Sequence, residues 1–400
     1  MKTIEPSPAL SAAVERPLEG LLVLDFSQFL AGPSCALRLA DFGAEVIKIE
    51  RPQSGDLCRG LTIADLKFEG DSALFHTINR GKKSFAADLK DPADQTRVAA
   101  LIDRADVLIH NFRPGVMERL GFGFGAVQAR NPRVVYATVT GYGERGPWRD
   151  KPGQDLLVQS LSGFAWLSGN ADQGPVPAGV SVTDMAAGAH LVQGILAALI
   201  RRGVTGKGGR VEVSLMESAL DLQFEQFTTF LNTGKEQPRR SAVNNANVSI
   251  AAPYGIYQTA DGYLGVAMTP IARLTDLIGC AALAPYADPS RAFADRDAIK
   301  AILARHLETQ TTAHWLSLLE PEGIWCADVY DWPTLTAHPG FTELDLVQEV
   351  EGAGGARLAT TRCPIRIDGV VLKSPRAAPR LGADTAAVAA RYDLPAGEAT

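Results

Sequence analysis

Residues 20–50 read GLLVLDFSQFLAGPSCALRLADFGAEVIKIE, and their pattern decides the fold. Leu21–Phe26 is a short apolar run of Leu and Val ending at Ser27. Ala31-Gly32-Pro33 turns the chain, Ser34–Phe42 carries a helical pattern, and Gly43 closes it. Glu45–Glu50 is a second strand-like run. Strand, helix and strand in this order make a parallel pair with a right-handed crossover. The Gly-Pro turn at the helix start suits an anion. It is not GxGxxG, and a tight turn with no ligand fits it equally well.

The alternation continues outward. Lys83–Lys90 reads as a strand that leads into Asp91-Pro92, a helix start with proline near its first turn. That helix runs to about Ala105, and Asp106–Phe112 is another buried strand. Arg113-Pro114-Gly115 breaks it, Val116–Leu120 begins a short helix, and Val134–Gly143 is the next strand. Residues 20–143 thus predict an open α/β sheet. Ligands of such sheets lie beyond the carboxyl ends of the strands. This draws attention to Ser27, Gln28, Arg51, Asn111, Arg113 and Tyr142. Each reads equally well as a surface-loop residue. Together they place two arginines where a phosphate-bearing ligand is expected.

Residues 179–203, GVSVTDMAAGAHLVQGILAALIRRG, form a helix apolar on nearly every side, which belongs in a core. Asp184 is its single carboxylate and stands at its first turn. One reading makes Asp184 a helix cap, because aspartate suits the positive helix end. The other makes it a carboxylate nucleophile kept ionised by that same end. These residues alone leave both open.

Asp155 could cap the apolar segment that runs to Ser162. Gly208–Leu215 alternates cleanly and is a further strand. Met216–Asn232 reads as one long helix whose Phe224, Phe227 and Phe230 suit a core. Residues 235–252 are polar and turn-rich, a linker or mobile loop. Tyr254–Met268 is a hairpin around Thr259–Gly262, and helical patterns follow over 269–325, as in a second domain. Residues 330–400 are irregular, with short strand-like runs at Leu346–Val350 and Gly369–Lys373. Residues 1 to about 18 read as a loose arm.

The chain of 400 residues is long enough for two or three domains. A net charge of −6 argues against a partner bound by phosphate neutralisation, so no nucleic acid is expected. Cys35, Cys58, Cys280, Cys326 and Cys363 lie far apart and form no CxxC, and the histidines form no HxxxH or HExxH. No disulfide framework and no metal site are expected. The N-terminus lacks the apolar core of a signal peptide. No apolar run approaches a membrane span without a charge or helix breaker. A cytoplasmic location follows.

Five segments together resemble the class III coenzyme A transferases, which include formyl-CoA:oxalate and carnitine CoA-transferases. They are 20–56, NRGKKSFAADLKDP (79–92), ADVLIHNFRPGVMERLGF (105–122), VTDMAAGAHLVQGILAAL (182–199) and TGKGGRVEVSLMESAL (205–220). The resemblance covers most of residues 20–220 and is looser beyond. It implies a Rossmann-like large domain with an open parallel sheet, built from both ends of the chain (1–228 and 331–400). A smaller α+β domain (229–330) would be inserted in it, and two chains would interlock as a homodimer.

The same resemblance makes Asp184 the catalytic residue. Arg51, Lys90, Asn111, Phe112 and Arg119, with the main chain at Phe29 and Ala87, match positions that hold coenzyme A. Gln28, Leu30, Tyr142, Gln154 and Asn247 are weaker candidates for the acyl pocket. The implied activity moves coenzyme A from an acyl-CoA to a small organic acid, with dicarboxylates such as oxalate, succinate or itaconate in view. It would run through an aspartyl anhydride and an aspartyl-CoA thioester. Coenzyme A is then a substrate, and no tightly bound cofactor is expected.

Departures narrow this. Leu30 and Leu61 stand where the formyl-CoA enzyme has Gln and Trp, and Asn244-Asn245-Ala246-Asn247 replaces its glycine-rich lid. Formate/oxalate exchange is therefore doubtful. The related 2-methylacyl-CoA racemases carry His where this chain has Gln154. Glutamine cannot shuttle a proton near pH 7, which counts against a racemase or isomerase. A non-catalytic acyl-CoA-binding protein is the remaining alternative, and retention of Asp184 counts against it.

Overall fold

The computed structural model describes residues 16–374 and 376–395. Most of the expected N-terminal arm lies outside the described residues. The chain divides into two compact units. One falls in Met1–Asp155, Val182–Ser218 and Leu344–Thr400, the other in Leu156–Ser181 and Ala219–Glu343.

The first unit is built on six strands and the helices between them. These are β1 (Leu22–Asp25), α1 (Ala31–Asp41), β2 (Glu45–Glu50), β3 (Lys83–Ala86), α2 (Pro92–Ile102), β4 (Val107–His110), α3 (Val116–Arg119), β5 (Val135–Thr140), α4 (Val182–Thr205) and β6 (Gly209–Ser214). The sheet order is β3-β2-β1-β4-β5-β6, with every neighbouring pair parallel. This is the doubly wound order, which reverses between β1 and β4 and leaves a crevice at their carboxyl ends. Leu22, Leu24, Ile47, Ile49, Leu108 and Tyr136 share one buried cluster with Val98, Leu101 and Ile102 of α2. Each buried side chain of this kind is worth about 1.5–3 kcal/mol. On the same unit, α1 packs along α4, and α4 along β5 and β6. The C-terminal helix Thr385–Arg391 covers the β3 edge, where Ala86 N–H donates to Thr385 Oγ1 (2.9 Å) and Ser84 N–H to Asp384 Oδ2 (2.9 Å).

The apolar α4 is not buried on every side, as its composition had implied. Ala187, Gly188, Leu191, Val192, Ile195 and Ala198 are buried, whereas Met185, Ile200 and Val204 are exposed. By length and composition this helix could cross a membrane. One of its faces is instead packed within the unit.

The second unit carries an antiparallel sheet of β7 (Gly255–Gln258), β8 (Tyr263–Val266) and β9 (Cys326–Asp328). Helices α5 (Ile271–Ile278), α6 (Arg296–Leu307) and α7 (Thr312–Leu319) close a core around Tyr257, Leu264, Leu303 and Trp315. The hairpin turn is held by Thr259, whose Oγ1 accepts the Gly262 N–H (3.0 Å).

The units divide at 218/219 and 343/344, not at 228/229 and 330/331, and the second takes in Leu156–Ser181. Two elements account for this. The helix expected over Met216–Asn232 is two helices, Leu215–Asp221 and Phe224–Asn232, and Phe224 and Phe227 are exposed, not core. Residues 168–174 are tied to the loop at 240, so they travel with it.

That loop is pinned. Arg240 is buried and donates to the carbonyls of Ser168 (2.6 Å), Gly174 (2.9 Å) and Gln173. Lys300, fully buried on α6, donates to Ser241 Oγ and the Asn244 carbonyl, both at 3.1 Å. The stretch expected to be mobile is held by buried cations that its polar composition concealed.

Candidate active site

The site begins with the turn after β1. Asp25, fully buried, accepts the Ser27 N–H (2.9 Å) and pairs with Lys82 (2.8 Å). Lys82 also donates to Asn79 Oδ1 (2.8 Å) and the Pro33 carbonyl (2.9 Å), tying the start of α1 to the chain before β3. Lys48, buried on β2, pairs with Asp56 (2.8 Å) and donates to the Ser27 carbonyl (2.7 Å). Burial works to raise the Asp25 carboxyl, and Lys48 and Lys82 overcome it. Burial pulls Lys82 down to about 8 in spite of Asp25. Breaking such a network leaves an uncompensated buried charge, which costs about 3–5 kcal/mol. None of these residues stood out in the sequence, although charged residues inside apolar strands are a signal that could have found them.

The network fixes the backbone of Gln28–Leu30. Phe29 takes a φ of 63°, left-handed for a non-glycine residue, and its N–H is given to Asp56 Oδ1 (3.1 Å). Asn111, at the end of β4, clamps Gln28 from the other side of the crevice. Its Oδ1 accepts the Gln28 N–H (2.9 Å), and its Nδ2 donates to the Gln28 carbonyl (2.7 Å). Asn111 therefore spends its side chain on the turn. The N–H of Ala87 is likewise committed, to the Glu50 carbonyl (2.8 Å).

Two clefts meet at Gln28 and Phe112. The first, of about 170 Å³, is lined by Gln28, Arg51, Ala87, Lys90 and Phe112, with Glu50 and Leu120. The second, of about 290 Å³, is lined by Gln28, Phe29, Asn111, Phe112 and Arg113, together with Arg149 and Lys151. The structure thus gathers eight of the expected positions into two adjoining clefts: Gln28, Phe29, Arg51, Ala87, Lys90, Asn111, Phe112 and Arg113. It adds two cations, Arg149 and Lys151, that sequence reasoning passed over. They arrive because Gly141 and Gly153 cross backbone to backbone: a Cβ on either would lie 2.5 Å from the other's Cα. Only paired glycines let the 149–155 segment lie against the end of β5.

Other candidates stand apart. Arg119 is exposed on α3 and lines neither cleft. Leu30 packs against the interior cluster of Cys58, Phe75 and Ile78. The Tyr142 hydroxyl donates to the Pro152 carbonyl (3.2 Å), with its ring against Trp148. Gln154 is exposed. Asn247 belongs to the second unit, where its Oδ1 accepts from Ser249 N–H (2.8 Å) and Gln226 Nε2 (3.3 Å).

Asp184 is the third residue of α4 and is partly buried. Gly188, one turn on, sits so close to α1 that a Cβ there would strike Ser34 Oγ and the Ala31 carbonyl. Asp184 lies one turn before that contact, and it lines neither of the two clefts. Burial, and after it the Asp155 carboxylate, push the Asp184 carboxyl up to about 7. The helix end works in the opposite direction but does not keep this group an ordinary, fully ionised aspartate, as the sequence had implied. Capping falls to Asp155, whose Oδ1 accepts both the N–H and the hydroxyl of Thr183, each at 2.8 Å. Among the described residues, no group of three or more His, Cys, Asp or Glu could hold a metal ion. The five cysteines are free thiols.

Comparison with known proteins gives one answer. A family model, CoA-transferase family III, matches residues 18–385. The chain is 31% identical to the succinate–glutarate CoA-transferase of Agrobacterium fabrum, over 94% of this chain and 96% of that protein. It is 30% identical to the human succinyl-CoA:glutarate CoA-transferase, over 94% of this chain and 87% of that protein. A crystal structure of a CAIB/BAIF family protein from Brucella suis superposes with a TM-score of 0.81 at 31% identity, covering 94% of this chain and all of that one. The chain belongs to CoA-transferase family III and is a CoA-transferase enzyme, whose substrates are CoA thioesters and organic acids.

Proposed function

We propose that this enzyme moves coenzyme A from an acyl-CoA donor to a small dicarboxylic acid, with Asp184 as the covalent relay. What supports this reading is a partly buried carboxylate, raised to about 7 by burial and by Asp155, at the first turn of the helix that packs along α1. A carboxylate can exchange the acid partner of a thioester without hydrolysis. Asp184 attacks the donor carbonyl, giving an aspartyl-acyl anhydride and the CoA thiolate. The thiolate attacks the aspartyl carbonyl, forming an aspartyl-CoA thioester and releasing the donor acid. The acceptor carboxylate then attacks this thioester, expelling the CoA thiolate and forming a second mixed anhydride, and the thiolate attacks the acceptor carbonyl of that anhydride, giving the new acyl-CoA and releasing the Asp184 carboxylate.

In this reading Arg51 and Lys90 in the first cleft, and Arg113, Arg149 and Lys151 in the second, hold the phosphates of coenzyme A. Phe112, standing between the clefts, supplies an apolar wall. Asn111 acts through the Gln28 turn. Gln154 in the racemase histidine position leaves α-proton exchange without its base. The exposed apolar face of α4, Met185, Ile200 and Val204, suits burial against a second copy of the chain, and we infer a homodimer. A cytoplasmic enzyme with no membrane or nucleic-acid partner completes the reading.

The test is a panel of carboxylates offered to succinyl-CoA and acetyl-CoA, with product thioesters separated by chromatography. Transfer to dicarboxylates that disappears in Asp184→Asn while CoA still binds supports the proposal. Undiminished transfer by Asp184→Asn overturns it. Solvent-deuterium incorporation at the α-carbon without any free acid would favour the isomerase instead.

A further inference from the structure

We propose that Asp155 is the positioning residue for Asp184: by holding Thr183 it fixes the first turn of α4 and leaves a second carboxylate standing beside the first. This rests on the reading of Asp184 as the relay.

The geometry is specific. Thr183 is fully buried, and Asp155 nearly so. One oxygen of Asp155 accepts both the backbone N–H and the hydroxyl of Thr183, each at 2.8 Å. A helix start leaves its first amides without intrahelical partners, and the side chain of the residue just before the helix is the usual local group to satisfy them. Here the acceptor comes from 28 residues earlier in the chain. Asp155 is delivered by the Gly141–Gly153 crossing, so its place is set by backbone packing against β5 and not by α4 itself. The Thr183 amide is thus served from outside, and the Asp184 carboxylate is not needed for it.

The second carboxylate has a chemical consequence. It raises the energy of ionised Asp184 in the free enzyme, in addition to the effect of burial. Acylation of Asp184 removes one of the two negative charges. Both covalent states, anhydride and thioester, are therefore relieved of a repulsion that the resting enzyme carries. A more basic carboxylate is also a stronger nucleophile once ionised, and near pH 8 it is mostly ionised.

Other charges on the elements around α4 do not replace Asp155. On α1, Cys35 is a buried thiol and Asp41 at the far end is paired with Arg38 and Arg80. On β5, Tyr136 turns into the opposite cluster and donates to the Phe122 carbonyl (3.0 Å). On β6, Arg210 is paired with Glu144 and Glu212. On α4 itself, His190 meets Ser218 Oγ (3.0 Å), Arg202 pairs with Asp106 (2.9 Å) and Arg201 donates to the Gly208 carbonyl (2.9 Å).

The experiment compares Asp155→Ala and Asp155→Asn in the full-length protein, with folding checked by thermal melting. Asparagine keeps the oxygen for Thr183 and loses the charge, whereas alanine loses both. Asp155→Ala is expected to lower kcat about tenfold or more with little change in KM for acyl-CoA, because displacement of a reacting group is costly. Asp155→Asn should recover to within about threefold, with the acid limb of its kcat/KM profile moved down by about one pH unit. A second readout needs no turnover: the pH at which the Tm gap between wild type and Asp184→Asn levels off should fall by a similar amount in the Asp155→Asn background, with a smaller final gap. A folded Asp155→Ala enzyme at wild-type kcat overturns the proposal. So does an Asp155→Asn enzyme whose acid limb, and whose pH of levelling-off in the Tm gap, stay at the wild-type values. If Asp184→Asn retains full transfer, the relay reading fails, and the Tm readout still reports whether Asp155 acts on Asp184.

Discussion

Replacing Asp184 with asparagine should stabilise the protein at neutral and alkaline pH, even as it removes activity. Burial and Asp155 raise the carboxyl from 3.8 to about 7. A shift of about 3 units corresponds to about 4 kcal/mol as an upper bound. The exposed edge of the group screens part of this, and about 2 kcal/mol is the working figure. The sign follows from linkage. A carboxyl raised in the folded state contributes stability that is fully present below its unfolded pKa near 4. That contribution is lost as pH rises through the folded value near 7. Asparagine keeps the shape without the titration, so the gap between variant and wild type should open from pH 4, grow to pH 7 and level off above pH 8. The assay is a series of thermal melts of both proteins between pH 5 and 9. Each kcal/mol is worth about 2–4 °C in a domain of 150–250 residues. Groups that do not interact with Asp184 titrate alike in the two proteins and cancel. A gap that is absent, or constant with pH, would show that Asp184 is an ordinary ionised aspartate and refute the electrostatic reasoning.

Three further outcomes are expected. Lys82→Met leaves Asp25 with Lys48 at 3.8 Å as its remaining cation and should cost about 3–5 kcal/mol, read as a lower midpoint in urea. Gly153→Ala puts a Cβ 2.5 Å from the Gly141 Cα; it should cost about 1–3 kcal/mol and lower kcat through the displaced Asp155, measurable by melting and steady-state kinetics. Asn111→Ala removes both bonds to the Gln28 backbone and should cost about 1–3 kcal/mol while raising KM for acyl-CoA. Wild-type KM in that variant would show that the turn holds its shape without the clamp.

The sheet was legible because its signals are local. Apolar runs alternate with helical patterns from residue 20 to 143, and each run became a strand, unchanged at Glu45–Glu50 and two to four residues shorter elsewhere, where the flanks turn. The carboxyl-edge residues followed from topology, and the clefts formed around them. What stayed hidden depends on partners distant in sequence. Lys48, Glu50 and Asp56 read as polar interruptions until Asp25, Arg59 and Lys82 are beside them. The 235–252 stretch read as mobile because nothing in it announces that Arg240 will be buried on carbonyls at 168–174. Phe224 and Phe227 have helical spacing, but spacing does not say which face meets a core. The C-terminal helix Thr385–Arg391 has four alanines around Val388 and a weak apolar stripe, and Val388 is its one buried residue. The ionisation of Asp184 was misjudged for the same reason: the helix end is visible in sequence, whereas Asp155 and the burial around it are not.

The measurement that bears most directly on the central claim is a trap of the covalent relay. The enzyme is incubated with acyl-CoA, quenched with hydroxylamine and digested, and the peptides are weighed. A hydroxamate on the peptide containing Asp184, absent without acyl-CoA, is the predicted result. Transfer that proceeds with no adduct at Asp184, or with the adduct on another carboxylate, would contradict the account.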